Sequence, residues 1–251
     1  MSSPLPLAGK TALVTGASKG IGAATVLELS SLGANVVINY SSAAAPADAL
    51  VEKIGSDRAI AVKANAGSIP DIERLVQQTV DRFGGIDILV ANAGILPMKD
   101  LEHTTEEDFD ATIALNVKGP YFLVQKALPH IRPSAHIILL STSLCTASTV
   151  TPPYLLYNTS KGAIEQMTRV LAKDLGRRGI VVNAVAPGPT GTDLFFKGKS
   201  EDVLKMIAGG NPAGRIGTPG EVAGVVGWLA GSGSGWVNGQ VLRVNGGMTV
   251  G

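Results

Sequence analysis

A single cysteine, Cys145, among 251 residues rules out an intrachain disulfide, so the fold must rest on its hydrophobic core. Histidine is scarce too: His103, His130 and His136 stand far apart, and no metal-ligand spacing emerges from them. No apolar run approaches the roughly 20 residues needed to span a bilayer. The first ten residues lack the basic start and apolar stretch of a signal peptide, which makes the cytoplasm the expected compartment. Charge of one sign is also missing. The formal net charge is +1 with Lys and Arg scattered, which leaves no footprint for nucleic acid or an anionic membrane.

Glycine is abundant at 31 residues, and Gly, Ala and Val together suit tight turns and small helices packed on parallel strands. Seven short runs read as strands: residues 11–15, 35–39, 59–62, 86–91, 135–140, 180–185 and 240–244. Most are continuous Val, Ile, Leu and Ala, as expected of strands buried on both faces. Amphipathic helices alternate with them. In residues 71–83 the positions Ile72, Leu75, Val76, Thr79, Val80 and Phe83 fall on one helical face, and Ile164, Met167, Leu171 and Leu175 mark a second stripe. This alternation predicts an α/β single-domain doubly wound Rossmann fold over residues 1–251, a seven-stranded parallel sheet flanked by helices on both faces. No Pro/Ser-rich linker and no solenoid period divides the chain. Residues 187–219 show no clear period, and 188–218 read as a substrate lid or loop excursion over the active-site end.

The first strand runs into Thr15, Gly16, Ala17, Ser18, Lys19, Gly20, Ile21 and Gly22, then into an Ala/Leu-rich helix. A glycine-rich strand-to-helix turn lets backbone approach a diphosphate whose charge sits on the helix N-terminus. In that reading Gly16 closes the turn, Gly20 permits close approach and Gly22 lets helix and strand pack. Two extra residues separate the first two glycines relative to the common G-x-G-x-x-G. The bland alternative is a tight turn with no ligand; its place on the first strand of an alternating chain favours the dinucleotide. The second strand ends Asn39, Tyr40, Ser41, Ser42, the first three expected among the cofactor contacts, with no acid before Asp48. A missing acid removes repulsion against a 2′-phosphate, Lys19 offers attraction, and Ser41 and Ser42 offer hydrogen bonds, so NADP(H) is favoured over NAD(H). Lys19 also fits a merely solvated loop lysine.

Tyr157 and Lys161 stand four apart near the start of an expected helix, on one face. An ammonium there is expected to stabilise the phenolate and lower the tyrosine pKa from its reference near ~10, making the phenol an acid or base near neutral pH. Tyr154 is the rival, but Asn158 stands four residues after it. Upstream, residues 135–140 run into Ser141, Thr142 and Ser143 at a strand's carboxyl end, where α/β sheets bind ligands. A hydroxyl there can polarise a carbonyl; for Ser141 and Thr142, strand capping is preferred.

The glycine loop, Asn92-Ala93-Gly94, Asn116, Ser143, Tyr157 with Lys161, and Asn183 through Pro187-Gly188 occur in one order along the whole chain. Together they resemble the short-chain dehydrogenase/reductase family. The resemblance implies that Ser143 orients a substrate carbonyl, that Tyr157 protonates the developing alkoxide, and that Lys161 also holds the nicotinamide ribose. It further implies that Asn116 anchors a water in a proton relay and that Asn92, Ala93 and Gly94 line the cofactor pocket. Pro187, Gly188 and Thr192 match the nicotinamide-contacting turn. Three positions depart from the family pattern. Ala91 replaces a first Asn, Asn65 stands where an Asp commonly meets the adenine, and Ser143 lies 14 residues before Tyr157, one more than usual.

Leu194, Phe195 and Phe196, flanked by glycines, suit either a mobile lid over an apolar substrate or an ordinary packed helix. Leu144, Cys145, Ile95 and Leu96 are candidate pocket walls, Cys145 as a small apolar group rather than a nucleophile. The expected activity is NADPH-dependent reduction of an aldehyde or ketone on a small or medium molecule. Similar family members reduce carrier-bound 3-oxoacyl thioesters or polyhydroxylated aromatic ketones, and weak basicity argues mildly against an acidic carrier protein. A non-catalytic NADPH-binding sensor is the reading from another class. The resemblance also implies a homotetramer, or a homodimer, built through the Tyr/Lys helix, the 221–230 helix and the last strand.

Overall fold

The computed structural model describes residues 4–250; residues 1–3, part of the stretch read against a signal peptide, and Gly251 lie outside the described residues. Seven strands form one sheet: β1 (Thr11–Val14), β2 (Asn35–Tyr40), β3 (Ala59–Lys63), β4 (Ile86–Ala91), β5 (Ile131–Leu140), β6 (Val181–Pro187) and β7 (Val241–Val244). Their spatial order is β3-β2-β1-β4-β5-β6-β7, and every neighbouring pair is parallel. The strand order reverses between β1 and β4, which opens a crevice at their carboxyl ends.

Successive strand residues point to opposite faces, and both faces are dry. On one face Leu13, Val37, Leu89, Ile137 and Val182 pack with Ile72, Leu75 and Val76 of helix α3 (Ile69–Phe83) and Leu123 of α5 (Gly119–Ala127). Ile164 of α6 (Leu155–Leu175) closes that layer. On the other face Val14, Val36, Ile38, Val90 and Ile138 meet Val26 and Leu29 of α1 (Gly20–Ser31) and Val222, Val226 and Leu229 of α9 (Pro219–Leu229). Each such side chain contributes about 1.5–3 kcal/mol on burial, so the two-sided apolar runs hold the strands in the sheet centre. The remaining helices are α2 (Ala45–Ile54), α4 (Glu106–Ile113), α7 (Asp193–Phe196) and α8 (Glu201–Gly209).

Two segments differ from the sequence expectation. β5 begins at Ile131, four residues early, because Arg132 reaches across to Asp87 (2.7 Å) and to the Phe83 carbonyl (2.8 Å). That polar, proline-containing start carries no apolar periodicity to read. The segment read as lacking period holds α7 and α8, each opened by a hydroxyl cap, Thr192 accepting from Phe195 N and Ser200 from Val203 N. α7 is a single turn, too short to display a helical repeat, and α8 spans only nine residues. The base of this segment is closed by a bridge between Thr190 and Gly217.

Candidate active site

The crevice begins at the turn between β1 and α1. Gly16 and Gly20 adopt φ of +60° and +54°, where side chains are strained. Space excludes them as well. A Cβ at Gly22 would lie 2.4 Å from the Gly16 carbonyl oxygen, and one at Gly16 would lie 2.9 Å from Ala93 Cα. The loop is latched from behind by Asn92, whose Nδ2 donates to the Thr15 and Gly16 carbonyls at 2.9 and 3.1 Å. Thr15 Oγ1 in turn accepts from the amides of Asn92 and Ala93, both at 3.1 Å. No side chain caps the first turn of α1, so its leading amides, preceded by exposed Lys19, stay available to an anion. This side-chain-free cradle fits a dinucleotide diphosphate. Ser18 and Ile21 are half-buried in the same turn, and Thr192 closes on it, its Cγ2 lying 3.0 Å from where a Gly20 Cβ would stand.

At the end of β2, Tyr40 is half-buried and Ser41, like Lys19, is exposed. Asn39, expected among the cofactor contacts, is instead turned inward. Its Oδ1 accepts from Gly16 N at 3.1 Å, and its Nδ2 donates to the Ala64 carbonyl at 2.9 Å and the Val62 carbonyl at 3.3 Å. Buried and engaged at both ends, it positions the glycine loop rather than facing a ligand. Asn65 is exposed at the end of β3, where its Oδ1 accepts from Gly67 N (2.9 Å) and shapes the turn into α3.

On the other side of β1, the strands β4, β5 and β6 bring together the residues expected to do chemistry. Asn116 is fully buried in a π-helical turn, Ala114–Lys118, between α4 and α5. Its side chain accepts from Ile95 N and donates to the Ile95 carbonyl, both at 2.9 Å, and donates to Ser160 Oγ at 3.0 Å. It therefore fixes the stretch after Gly94. Gly94 has Asn116 Oδ1 and Lys161 Nζ only 3.2 and 3.5 Å from its absent Cβ. Ser143 opens a 3₁₀ turn after β5 (Ser143–Thr146), and its hydroxyl donates to the Ala186 carbonyl of β6 at 2.8 Å. Pro187 and Gly188 follow at once, Gly188 pressed against Asn245.

Tyr157 and Lys161 share one face of α6, with Lys161 Nζ 5.8 Å from the Tyr157 ring centre. Lys161 is buried and donates to the Leu140 carbonyl at 2.7 Å. Here the expected electrostatics are reversed. Burial pushes the Tyr157 phenol up to about 12, only partly opposed by a hydrogen bond with Thr142, while burial pulls Lys161 down to about 8. The reason is desolvation: each charged form loses water, and the ammonium is directed to a backbone carbonyl instead of the phenol. Burial likewise pushes the Cys145 thiol up, in keeping with a wall rather than a nucleophile.

Comparison with known proteins settles the family. Residues 16–249 match the family model described as Enoyl-(Acyl carrier protein) reductase. The chain is 43% identical to a short chain dehydrogenase, mdpC, of Emericella nidulans, covering 98% of this chain and 97% of the relative. It belongs to the short-chain dehydrogenase/reductase family. Among its relatives is a hydroxynaphthalene reductase-like protein of Metarhizium majus, 41% identical over 98% of this chain and 97% of that one. A solved dehydrogenase/reductase from Sinorhizobium meliloti superposes with a TM-score of 0.93 at 38% identity, covering 98% of each chain. A short chain dehydrogenase from Burkholderia cenocepacia in complex with NADP superposes at 0.92 with 36% identity, covering 98% of this chain and all of that one. This short-chain dehydrogenase/reductase is accordingly an oxidoreductase that works with a nicotinamide cofactor.

Two features of the site have no counterpart in the sequence reading. Ser160 completes the Asn116 web, and Ser141, read as a strand cap, donates to Glu165 at 3.1 Å. Neither spacing is periodic, because the first pair meets only where α6 packs on the Ala114–Lys118 turn and the second only where α6 packs on the end of β5. Above the crevice, Phe195 and Phe196 of α7 meet edge-on with centres 5.6 Å apart, and Leu194 and Phe196 remain exposed. Among the described residues no helix is long and apolar enough to cross a membrane.

Proposed function

We propose that this short-chain dehydrogenase/reductase uses NADPH to reduce a ketone on a small organic molecule, with Tyr157 as proton donor, and that the ketone is carried on a hydroxylated aromatic or cyclic framework. One observation carries the reading: Asn116 and Lys161 both flank Gly94, Tyr157 lies on the same helix face as Lys161, and Thr142, next to Ser143, hydrogen-bonds Tyr157, so residues spread over 46 positions of sequence cluster together. When bound, the reduced cofactor supplies a hydride. The chain's own residues supply the rest. Ser143, after turning from the Ala186 carbonyl, donates to the substrate carbonyl oxygen and holds its carbon facing the crevice floor. Tyr157 keeps its proton at neutral pH, since burial holds its pKa high; that proton passes to the oxygen as negative charge develops there. Lys161 then steadies the phenolate and Asn116 keeps the surrounding backbone fixed.

NADPH over NADH is supported by Lys19 on the rim, by exposed Ser41, and by the absence of an acid at the end of β2. Similarity to a neighbour solved with NADP supports it too. The aromatic substrate class is supported by relatives named as hydroxynaphthalene reductase-like and by the exposed aromatic edge of the 188–218 segment, which we read as the lid. Exposed Val170 on α6 and Trp228 on α9 support the tetramer that the family resemblance implies; a monomer in sedimentation at micromolar concentration would exclude it.

The test is oxidation of NADPH and NADH against hydroxylated bicyclic ketones, simple aldehydes and 3-oxoacyl thioesters. Turnover of the cyclic ketones with NADPH far above the rest is expected. Preference for the thioesters would move the assignment to an acyl reductase. Tyr157→Phe is expected to lower kcat by roughly 10²–10⁴-fold with NADPH affinity retained. A sensor would instead bind NADPH, reduce none of the panel and respond identically with or without the phenol.

A further inference from the structure

Tyr157, Lys161 and Glu165 follow one another at a spacing of four on α6, so they line one face of the helix. The reaction as described uses the first two and leaves the third without a task. Glu165 is nonetheless drawn inside, with its side chain only 10% exposed. A carboxylate is costly to bury unless its oxygens are engaged. One oxygen accepts from Ser141 Oγ at 3.1 Å, and the other faces Arg169 Nη2 at 3.6 Å, an arginine that reaches out to solvent.

Ser141 is the first residue beyond β5 and stands two before Ser143. Its hydroxyl lies 3.4 Å from the Lys161 carbonyl and 3.8 Å from Cys145 Sγ. The preceding residue, Leu140, takes the Lys161 ammonium on its carbonyl at 2.7 Å. Two successive residues at the end of β5 are thus tied to two successive turns of α6. Asn158 adds a third tie, its Nδ2 donating to the Leu144 carbonyl at 3.1 Å. The strand end carries Ser143 and the helix carries Tyr157, so these ties set how far apart the two hydroxyls stand.

We infer that Glu165 is a positioning residue: acting through Ser141, it holds the end of β5 against α6 and fixes Ser143 relative to Tyr157 for carbonyl reduction. The inference rests on the reductase reading of the same site. A misplacement near 1 Å costs on the order of 10²-fold in rate when reacting groups must be aligned. Loss of the tie therefore acts on kcat, while the glycine loop that receives the cofactor, on the far side of β4, is left intact.

The experiment compares Glu165→Leu, Glu165→Gln, Ser141→Ala and the double variant Ser141→Ala/Glu165→Leu, using the ketone that the unaltered protein turns over best. Glu165→Leu and Ser141→Ala are each expected to lower kcat by roughly 10- to 100-fold, with NADPH Kd, read by fluorescence, within about twofold. Glu165→Gln keeps an acceptor for Ser141 and is expected within about threefold of the parent. The double variant should fall no further than the worse single one, because both remove the same tie. Unchanged kcat in Ser141→Ala, or losses that multiply in the double variant, would overturn the inference. If Glu165→Leu fails to fold, Ser141→Ala and Glu165→Gln carry the test, since both leave the packing almost untouched. A parent protein that reduces no carbonyl would overturn the reductase reading and this inference together; parent turnover with insensitive variants overturns the inference alone.

Discussion

Replacing Gly22 by alanine is the sharpest perturbation of the cofactor cradle. The added Cβ would sit 2.4 Å from the Gly16 carbonyl oxygen, 2.6 Å from Asn92 Nδ2 and 2.9 Å from Ala17 Cα. Since real Cβ atoms stay beyond 3.0 Å, the Gly16 carbonyl must retreat by at least about 0.6 Å. Asn92 must also give way, and it is the residue that latches the loop through Thr15 and Gly16. Overpacking of this kind costs about 1–3 kcal/mol, and a weakened latch adds about 1 kcal/mol. The sum is about 2–4 kcal/mol, and the two groups that must move are the loop that would receive the diphosphate and the latch behind it. If that cost is borne by the bound conformation, NADPH affinity falls roughly 30- to 700-fold. If it is borne by folding, the melting temperature of the ligand-free protein drops by roughly 5–15 °C. Fluorescence titration and thermal melts of the same sample measure the two shares. Gly162→Ala is the control: nothing lies within 4 Å of its Cβ position in α6, so it is expected to stabilise the helix by about 0.5–1 kcal/mol. A Gly22→Ala protein with parental affinity and parental melting temperature would refute the steric argument.

Stability should also report the buried lysine. The folded-state pKa of Lys161, about 8, lies below its ordinary 10.5, so its burial opposes folding fully below pH 8 and ceases to do so as pH rises towards 10.5. Urea denaturation should show a gain on the order of 3 kcal/mol across that window, absent in Lys161→Met; equal slopes in both proteins would contradict it. Tyr157 acts in the opposite sense at higher pH, its held proton favouring the folded state until loss begins above pH 10 and runs to about 12. Lys19→Ala is expected to raise KM for NADPH about tenfold while leaving KM for NADH within twofold, and equal effects on both cofactors would deny Lys19 a phosphate contact. Asp87→Ala removes a buried acceptor shared by Lys10 Nζ (3.1 Å), Thr11 N (2.9 Å) and Arg132 Nη1 (2.7 Å). Its cations are partly solvated, so a loss of about 2–3 kcal/mol is expected by urea denaturation, and under 0.5 would count against the network.

The strands, the glycine turn and the Tyr157/Lys161 spacing were legible in the sequence because each depends on local pattern. Two-sided burial writes itself as unbroken apolar runs, a positive-φ turn demands glycine, and a helix places every fourth residue on one face. What the sequence could not determine was where side chains turn once distant segments meet. Asn39 reads as a rim residue from its place at the end of β2, yet its amide closes inward on Gly16 and Ala64. The early start of β5 depends on Arg132 finding Asp87, 45 positions away. Glu165 gives no sign in sequence of reaching Ser141, and Asn116 none of gripping Ile95. The acidity of Tyr157 was likewise decided by tertiary structure alone. Spacing puts the ammonium near the phenol, but packing turns the lysine to the Leu140 carbonyl, and desolvation sets the direction of both shifts.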